Sequence, residues 1–488
     1  MRKRSVTVSV AVLFLGLIWL GCGREQPLSS GVEPPPVAGL AKLAVGAGSA
    51  DRAAVVAIVT RDGVPVKGVE VALSRSVSGQ VPDYRWKGTT DADGQAEIEI
   101  TTGDGQFWRM GASGYYLVRA TDAVSASAIG QWGSIPIDGG SETVLTLPIG
   151  GAADVQPLVT VMTRNLYLGA DINRILQPAD PTTPIPVLVA QTWAMVQKTD
   201  FPGRAKAIAD EIAAARPHLI GLQEVSLFRI QNPGDFLTGN PARATAVAVD
   251  FLAVLLAELD ARGLAYRAVA IAEGIDIELP LYTGPTTPMA DIRMTDREVI
   301  LARSDVQTAG IREGQFQAKV PMTLGGVSLT IPRAWASVEA TFAGRTLRFA
   351  TAHLEMESVA PIQRLQAGEL IQAIRPDPAP VVLLGDFNSA ADGSTTGTYG
   401  DLTGAGFVDV WGLANPGEAG YTGSQTEDLL NTPSALNRRV DLIFVRGADT
   451  FTVLKADVVG EAPADRTPSG MWPSDHAGVV ASLGLRRQ

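Results

Sequence analysis

Cysteine is almost missing from this chain: 488 residues carry one, Cys22. An intramolecular disulfide and a multi-cysteine zinc site are therefore excluded. Histidine is nearly as scarce, at three, so each one can be weighed individually. Basic residues are in deficit, 40 Lys and Arg against 51 Asp and Glu, for a net charge of −11. A broad nucleic-acid-binding surface would need the opposite balance. A phosphate-bearing ligand is still allowed, because a local metal ion can offset its charge. Charged residues make up 19% and hydrophobic ones 46%, the balance of a soluble globular protein. The length implies two or three domains.

The apolar run Val6 to Leu20 is about fifteen residues, short of the roughly 20 that a spanning helix needs. It follows Met-Arg-Lys-Arg and precedes Gly21-Cys22, an order that predicts a secretory signal over residues 1–22. The segment resembles a bacterial lipoprotein signal, which implies lipidation at Cys22 and a membrane anchor. Ordinary secretion and an uncleaved anchor are the alternatives, and export from the cytoplasm is expected on each. Residues 23–37, rich in Pro, Ser and Gly, read as an extended tether.

From residue 38 to 150 short alternating apolar stretches are punctuated by turns. Val55 to Val59 leads to Arg61-Asp62-Gly63, then Val69, Val71 and Leu73 alternate, and Asp91-Ala92-Asp93-Gly94 enters Ile98 and Ile100. This spacing predicts a small all-β sandwich. It resembles bacterial Ig-like domains and suits a spacer or interaction module. Asp91 and Asp93 are read as turn residues in preference to calcium ligands.

Beyond the glycine-rich boundary near residue 150, strands and helices alternate, predicting an α/β domain over 155–488. Leu158 to Met162 leads to Asn165, and Leu219 to Leu222 leads to Gln223-Glu224. Helices are expected over Ala205 to Arg216 and Asp250 to Arg262, where Ile208 and Ile212, then Phe251, Leu255 and Leu259, repeat at four-residue intervals. Glu278 to Met289 reads as a long loop. Leu347 to Ala350 reaches His353, a helix spans about Pro361 to Ile374, and Asp441 opens the strand Val440 to Val445. Asp475-His476 stands just before Val479-Val480-Ala481.

The run Val381 to Leu384 suits a strand buried on both faces. Gly385 ends it, and Asp386 and Asn388 follow two apart, so in extended geometry they leave the strand side by side. An Asx-turn is the bland alternative. Two of the three histidines, His353 and His476, stand at strand ends beside carboxylates, while His218 is read as structural. Together these residues form an oxygen-rich donor set, matched to a hard divalent ion such as Mg²⁺ or Mn²⁺.

The ordered stretches TRNLYLG, IGLQEV, TAHLE, LLGDFN, RRVDLIF and PSDHAGV resemble the endonuclease/exonuclease/phosphatase superfamily of metal-dependent phosphoester hydrolases. The resemblance implies a four-layer α/β sandwich, two mixed sheets flanked by helices. It implies Glu224 as principal metal ligand, with Asn165 beside it and Asp475 completing the metal's surroundings. Asp386 and Asn388 would orient or deprotonate the attacking water and hold the phosphate. His476 would be the catalytic histidine, oriented by Asp441, and His353 would donate to a phosphate oxygen. Arg297 is a candidate phosphate contact, with a surface ion pair as the alternative. Asp171 is a candidate extra ligand, with helix N-capping preferred.

The expectation is a Mg²⁺- or Mn²⁺-dependent, nuclease-like phosphodiesterase of the cell envelope or exterior. Its substrate would be nucleic acid or another phosphodiester. The alternatives are a phospholipid or sphingomyelin phosphodiesterase acting at a lipid head group, a phosphomonoesterase, or a non-catalytic surface binding protein.

Overall fold

The computed structural model describes residues 52–61, 64–75, 84–101, 114–122, 128–137, 142–148 and 158–485, except 240, 343, 376–378 and 448–449. The signal-like segment, Cys22 and the 23–37 tether lie outside these residues.

Between Arg52 and Pro148 the strands form two four-stranded sheets. In one, Arg52–Arg61 pairs antiparallel with Gln95–Thr101 and parallel with Glu142–Pro148. In the other, Val69–Arg75 lies between Trp86–Thr89 and Gly114–Asp122. Alternation turns Val55, Val71, Ile98 and Val118 into one shared core. The Asp91 carboxylate accepts from the Asp93 and Gln95 amides at 2.9 and 3.0 Å. It closes a turn, as its sequence context predicts.

From Leu158 onward two mixed sheets are stacked. The first runs, in spatial order, Ala246–Asp250, Leu227–Gln231, Ala290–Arg303, Leu219–Gln223, Leu158–Asn165, Gly478–Leu485 and Phe451–Val459, with Tyr266–Leu281 also paired to Ala290–Arg303. The second runs Gln307–Gln315, Ala334–Phe342, Arg345–His353, Val381–Asp386, Asp441–Arg446 and Val408–Asp409. Each has one parallel pair: Leu158–Asn165 with Leu219–Gln223, and Arg345–His353 with Val381–Asp386.

The Val381 strand shows why its run is continuously apolar. Val382 and Leu384 face the other sheet, among Val161, Ile300 and Phe349. Val381 and Leu383 face outward, under Leu370 and Ile374 of the Ala360–Ile374 helix. On the far side, Ile208 and Ile212 of the Phe201–Ala215 helix and Leu255 and Leu259 of the Phe251–Ala261 helix cover Ile220, Leu222 and Val299. The result is the expected helix, sheet, sheet, helix layering.

Some boundaries move. The first of these helices begins at Phe201, four residues before its apolar period starts, because Pro202 fits a first turn. The expected loop from Glu278 shortens to Tyr282 to Met289. Ile277 and Leu279 pair with Met294 and Ile292, and Pro280 is tolerated because that strand pairs on one side only. Gly221 faces the second sheet, where a Cβ would lie 2.3 Å from Leu384 and 2.6 Å from Thr351. Beside it a buried chain of hydrogen bonds crosses between the sheets. Thr163 donates to Gln223 at 3.1 Å, and Gln223 donates to Thr351 at 2.9 Å.

Candidate active site

Strand register assembles the site. His353, Asp386 and Asp441 occupy one row across three adjacent strands of the second sheet. In the first sheet Asn165 lies opposite Gln223, which places Glu224 one residue beyond it. Asp475 and His476 lead directly into the Gly478–Leu485 strand on the other side of Asn165. Gly385 makes the row possible. It adopts φ +148°, and a Cβ there would fall 2.0 Å from the Ala352 carbonyl oxygen.

Asn165 ties the two sheets together at the cleft. Its Nδ2 donates to Glu224 Oε1 at 3.0 Å and to Asp386 Oδ2 at 3.1 Å. Glu224 Oε2 accepts from the Leu168 amide at 2.7 Å. Ser474 donates to the Asn165 carbonyl at 2.8 Å, fixing the segment that carries Asp475 and His476. Arg204, fully buried, donates to the backbone carbonyls of Leu166, Tyr167, Thr199 and Pro473. It thereby staples the two loops that bear Asn165 and Asp475.

Asp441 Oδ2 lies 2.8 Å from His476 Nδ1, the expected His–carboxylate pair. Burial works against a charged imidazole there. Asp441, Asp386 and Asp475 outweigh it and hold the His476 proton well above the ordinary histidine range. His476 Nε2 is 3.8 Å from Asp386 Oδ2, and His353 Nε2 is 3.4 Å from the same oxygen. Burial raises the Asp386 carboxyl to about 7, with Asp441 and Glu224 adding to the rise and His476 opposing it. Burial and Glu224 likewise raise Asp475 to about 6, against His476 and Arg204.

Asn388 does not simply alternate with Asp386. It has φ +48°, and its amide donates to Asp386 Oδ1 at 2.9 Å, so the Asx-turn is real. That turn swings its side chain toward the histidine: Nδ2 donates to the Leu354 carbonyl at 3.0 Å and lies 3.2 Å from His353 Nε2. The turn and the site are one feature.

Behind His353 is a second group of charges that sequence reasoning left unassigned. Arg333 Nη1 is 3.2 Å from His353 Nδ1. The same guanidinium lies 3.4 Å from Glu355 and 4.0 Å from Asp296, while Glu298 Oε1 is 3.8 Å from His353 Nδ1. Arginine has no acceptor, so His353 Nδ1 accepts from it, while Nε2 faces both Asp386 Oδ2 and Asn388 Nδ2. Burial, Arg333 and His476 all depress the His353 pKa well below its ordinary value, leaving a neutral ring. Burial and Glu224 raise Asp296 to about 7, and burial and Asp296 push Glu298 far up, with Arg333 opposing both.

Three sequence alternatives resolve. Arg297 donates to the Val225 carbonyl at 2.7 Å and pairs with Asp250 at 2.5 Å. The phosphate-contact expectation is corrected to the ion pair, and that pair is largely buried. Strand alternation explains it: Arg297 faces away from the side that Asp296 and Glu298 share. Asp171 accepts from the Asn173 amide at 2.9 Å, an Asx-turn ahead of a short helix whose N-cap is Ile172. His218 Nδ1 accepts from the Thr160 amide at 3.0 Å, and burial lowers its pKa to about 4, a structural histidine.

A divalent cation fits this donor set. Glu224, Asp296, Glu298, Asp386, Asp441 and Asp475 converge around two imidazoles and two guanidinium groups. The buried Asp296 Oδ1, Glu298 Oε2 and Asp441 Oδ1 have no hydrogen-bond partner. Carboxylate oxygens held this way, out of water and short of countercharge, are hard-cation ligands by chemistry. Among the described residues, Asp296, Glu298 and His353 form one compact potential metal group, and Asp386, Asp441 and His476 another.

The Endonuclease/Exonuclease/phosphatase family profile matches residues 195–476, more than half of the chain. The chain belongs to this family. It is a phosphoric ester hydrolase of a class that depends on divalent metal. Solved structures similar to it include an endonuclease/exonuclease/phosphatase family protein from Bacteroides thetaiotaomicron, at 16% identity over 68% of this chain and 100% of that one, TM-score 0.42. Another is D. rerio TDP2 complexed with single strand DNA product, at 18% identity over 67% and 99%, TM-score 0.40. A third is a B. thetaiotaomicron mannosyl-6-phosphatase, at 16% identity over 67% and 100%, TM-score 0.41. No curated protein matches the chain by sequence.

Proposed function

We propose that the family member described here is a Mg²⁺- or Mn²⁺-dependent phosphodiesterase acting outside the cytoplasm. The observation that carries this is the Asp441–His476 pair, at 2.8 Å, set beside the network in which Asn165 links Glu224 of the first sheet to Asp386 of the second. Glu224 and Asp475, with Asn165 beside them, would hold the metal. A divalent ion there supplies charge neutralisation and polarises a phosphoryl oxygen. His476, kept protonated by its acids, stabilises charge developing on the phosphate or leaving oxygen. Asp386 orients the attacking water and, with its carboxyl near neutrality, accepts a proton from it. His353 presents its Nε2 proton to a non-bridging phosphate oxygen.

The remaining sequence expectations belong to the same proposal. The basic start, apolar run and Cys22 support an exported, lipid-anchored protein. The two four-stranded sheets with their common core support an Ig-like spacer over residues 38–150, ahead of a catalytic domain over 155–488.

Purified protein should hydrolyse bis-p-nitrophenyl phosphate with Mg²⁺ or Mn²⁺ and stop in EDTA. His476→Ala should lose at least a thousandfold in kcat, about 4 kcal/mol, with an unchanged circular dichroism spectrum. Activity that persists in EDTA, or a His476→Ala loss below tenfold, defeats the proposal.

A further inference from the structure

Behind the strand that carries Asn165, outside the acidic cleft, lies a buried charged pair. Arg164 precedes Asn165, so strand alternation turns it the other way, onto the helix-covered face that Met162 shares. It is fully buried, and its Nη2 donates to Glu211 Oε1 of the Phe201–Ala215 helix at 2.9 Å. Its Nη1 donates to the carbonyl oxygen of His476. One guanidinium thus ties the helix layer to the backbone of His476.

The sheet itself does not hold His476. Pairing between Leu158–Asn165 and Gly478–Leu485 ends where Thr163 meets Val479, so His476 lies past the last rung. A buried carbonyl there still requires a donor, and Arg164 is that donor. The adjoining groups are held separately. The His476 amide donates to Ser474 Oγ at 3.2 Å, and the Ala477 amide donates to the Thr422 carbonyl at 2.8 Å. The peptide joining His476 to Ala477 is therefore pinned at its oxygen by Arg164 and at its nitrogen by Thr422. Asp441, at Nδ1, then fixes the ring on that backbone.

Two glycines make room for the pair. At Gly460, with φ +80°, a Cβ would fall 2.5 Å from Glu211 Oε1 and 2.7 Å from Arg164 Nη2. At Gly478 it would lie 3.0 Å from Arg164 Cδ. The pair is nonetheless poorly satisfied. Arg164 Nε and Glu211 Oε2 have no hydrogen-bond partner, and burial lifts the Glu211 carboxyl above its ordinary range against the pull of Arg164. Buried ion pairs of this kind add little to stability, and apolar residues of like volume often replace them without loss. An apolar pair would fill the space but could not donate to His476. We infer that Arg164, held by Glu211, is a positioning residue that sets the backbone of His476 and, through it, the reach of the imidazole toward the phosphate. The inference rests on the phosphodiesterase reading and adds a residue to it.

The test is a double-mutant cycle on bis-p-nitrophenyl phosphate with Mn²⁺, each rate divided by the folded fraction read by circular dichroism. In the parent, Arg164→Met with Glu211→Leu should lower kcat about thirtyfold and leave KM within about threefold, since a misplacement of about 1 Å can cost on the order of a hundredfold. In the His476→Ala background the same two changes should lower kcat by less than about threefold, because the group they position is gone. Equal losses in both backgrounds overturn the inference, since a merely structural role acts on any residual activity alike. Arg164→Lys keeps the charge beside Glu211 but lacks the forked donor. It should lose about tenfold alone and less than about threefold with His476→Ala, and it carries the cycle if the apolar pair does not fold. Ring-nitrogen NMR reads the same contact without turnover. The chain has three histidines, so the signals of His476 are those missing from His476→Ala. In Arg164→Lys the His476 Nδ1 proton directed at Asp441 should broaden or vanish, while the His218 signals stay. If the parent hydrolyses no diester, the phosphodiesterase reading fails and the NMR decides the contact: an unchanged His476 Nδ1 proton overturns the inference.

Discussion

At the scale of the residue, the two acids that sequence reasoning passed over make a measurable difference. Asp296 is buried, and its carboxyl is lifted to about 7 from an ordinary value near 3.8. Between those two values the folded protein holds a proton that the unfolded chain has released. Stability of the metal-free protein therefore falls as pH rises through that window, by an amount of order 4 kcal/mol at the upper end. Asp296→Asn should flatten that decline, so that the variant melts above the parent at pH 8 in EDTA. Adding Mn²⁺ should stabilise the parent and narrow the gap. Scanning fluorimetry across pH reads both effects, and a parent profile that rises from pH 4 to 7 relative to the variant refutes them. Asn165, Glu224, His353, Asp386, Asp441, Asp475 and His476 were legible because each ends or adjoins an apolar run. Asp296 and Glu298 carried the same kind of signal, two polar residues at alternate positions before Val299-Ile300-Leu301. Arg333 had none: its partners are 20 to 37 residues away in sequence, and only the fold unites them.

At the scale of the element, strands buried on both faces were the readable ones. Leu219–Gln223 and Val381–Asp386 stand out because both layers demand apolar residues. Gln307–Gln315 and the hairpin Val320–Leu324 with Val327–Ile331 were not legible. They are largely exposed, so no burial pattern marks them, and pairing alone defines them. The Ile185–Lys198 helix was hidden similarly: only four of its residues are buried. Sheet spacing makes a sharper prediction. At Gly221 an added methyl meets Leu384 and Thr351 from the opposite sheet. Gly221→Ala should cost about 1–3 kcal/mol in guanidinium unfolding. Adding Leu384→Ala should cost less than the two changes summed, because the second removes the obstacle. Strict additivity would mean that the sheets do not meet there.

At the scale of the whole molecule, one cysteine and a net charge of −11 describe a protein poorly suited to gripping polyanions over a wide surface. An anchor at Cys22 would instead tie the chain to a membrane surface. Cys22→Ala should move the protein from the membrane fraction to the soluble one in an expressing bacterium, and unchanged fractionation removes the anchor. Chain order gives the molecule a further property. The Gly478–Leu485 strand inserts between Leu158–Asn165 and Phe451–Val459, and Asp475 and His476 ride immediately ahead of it. Synthesis delivers Asn165 well ahead of His476. A nascent chain thus carries Asn165 and Glu224 long before Asp386, Asp441 and the imidazole of His476 join them, and the site is complete only once the Gly478–Leu485 strand docks beside Leu158–Asn165.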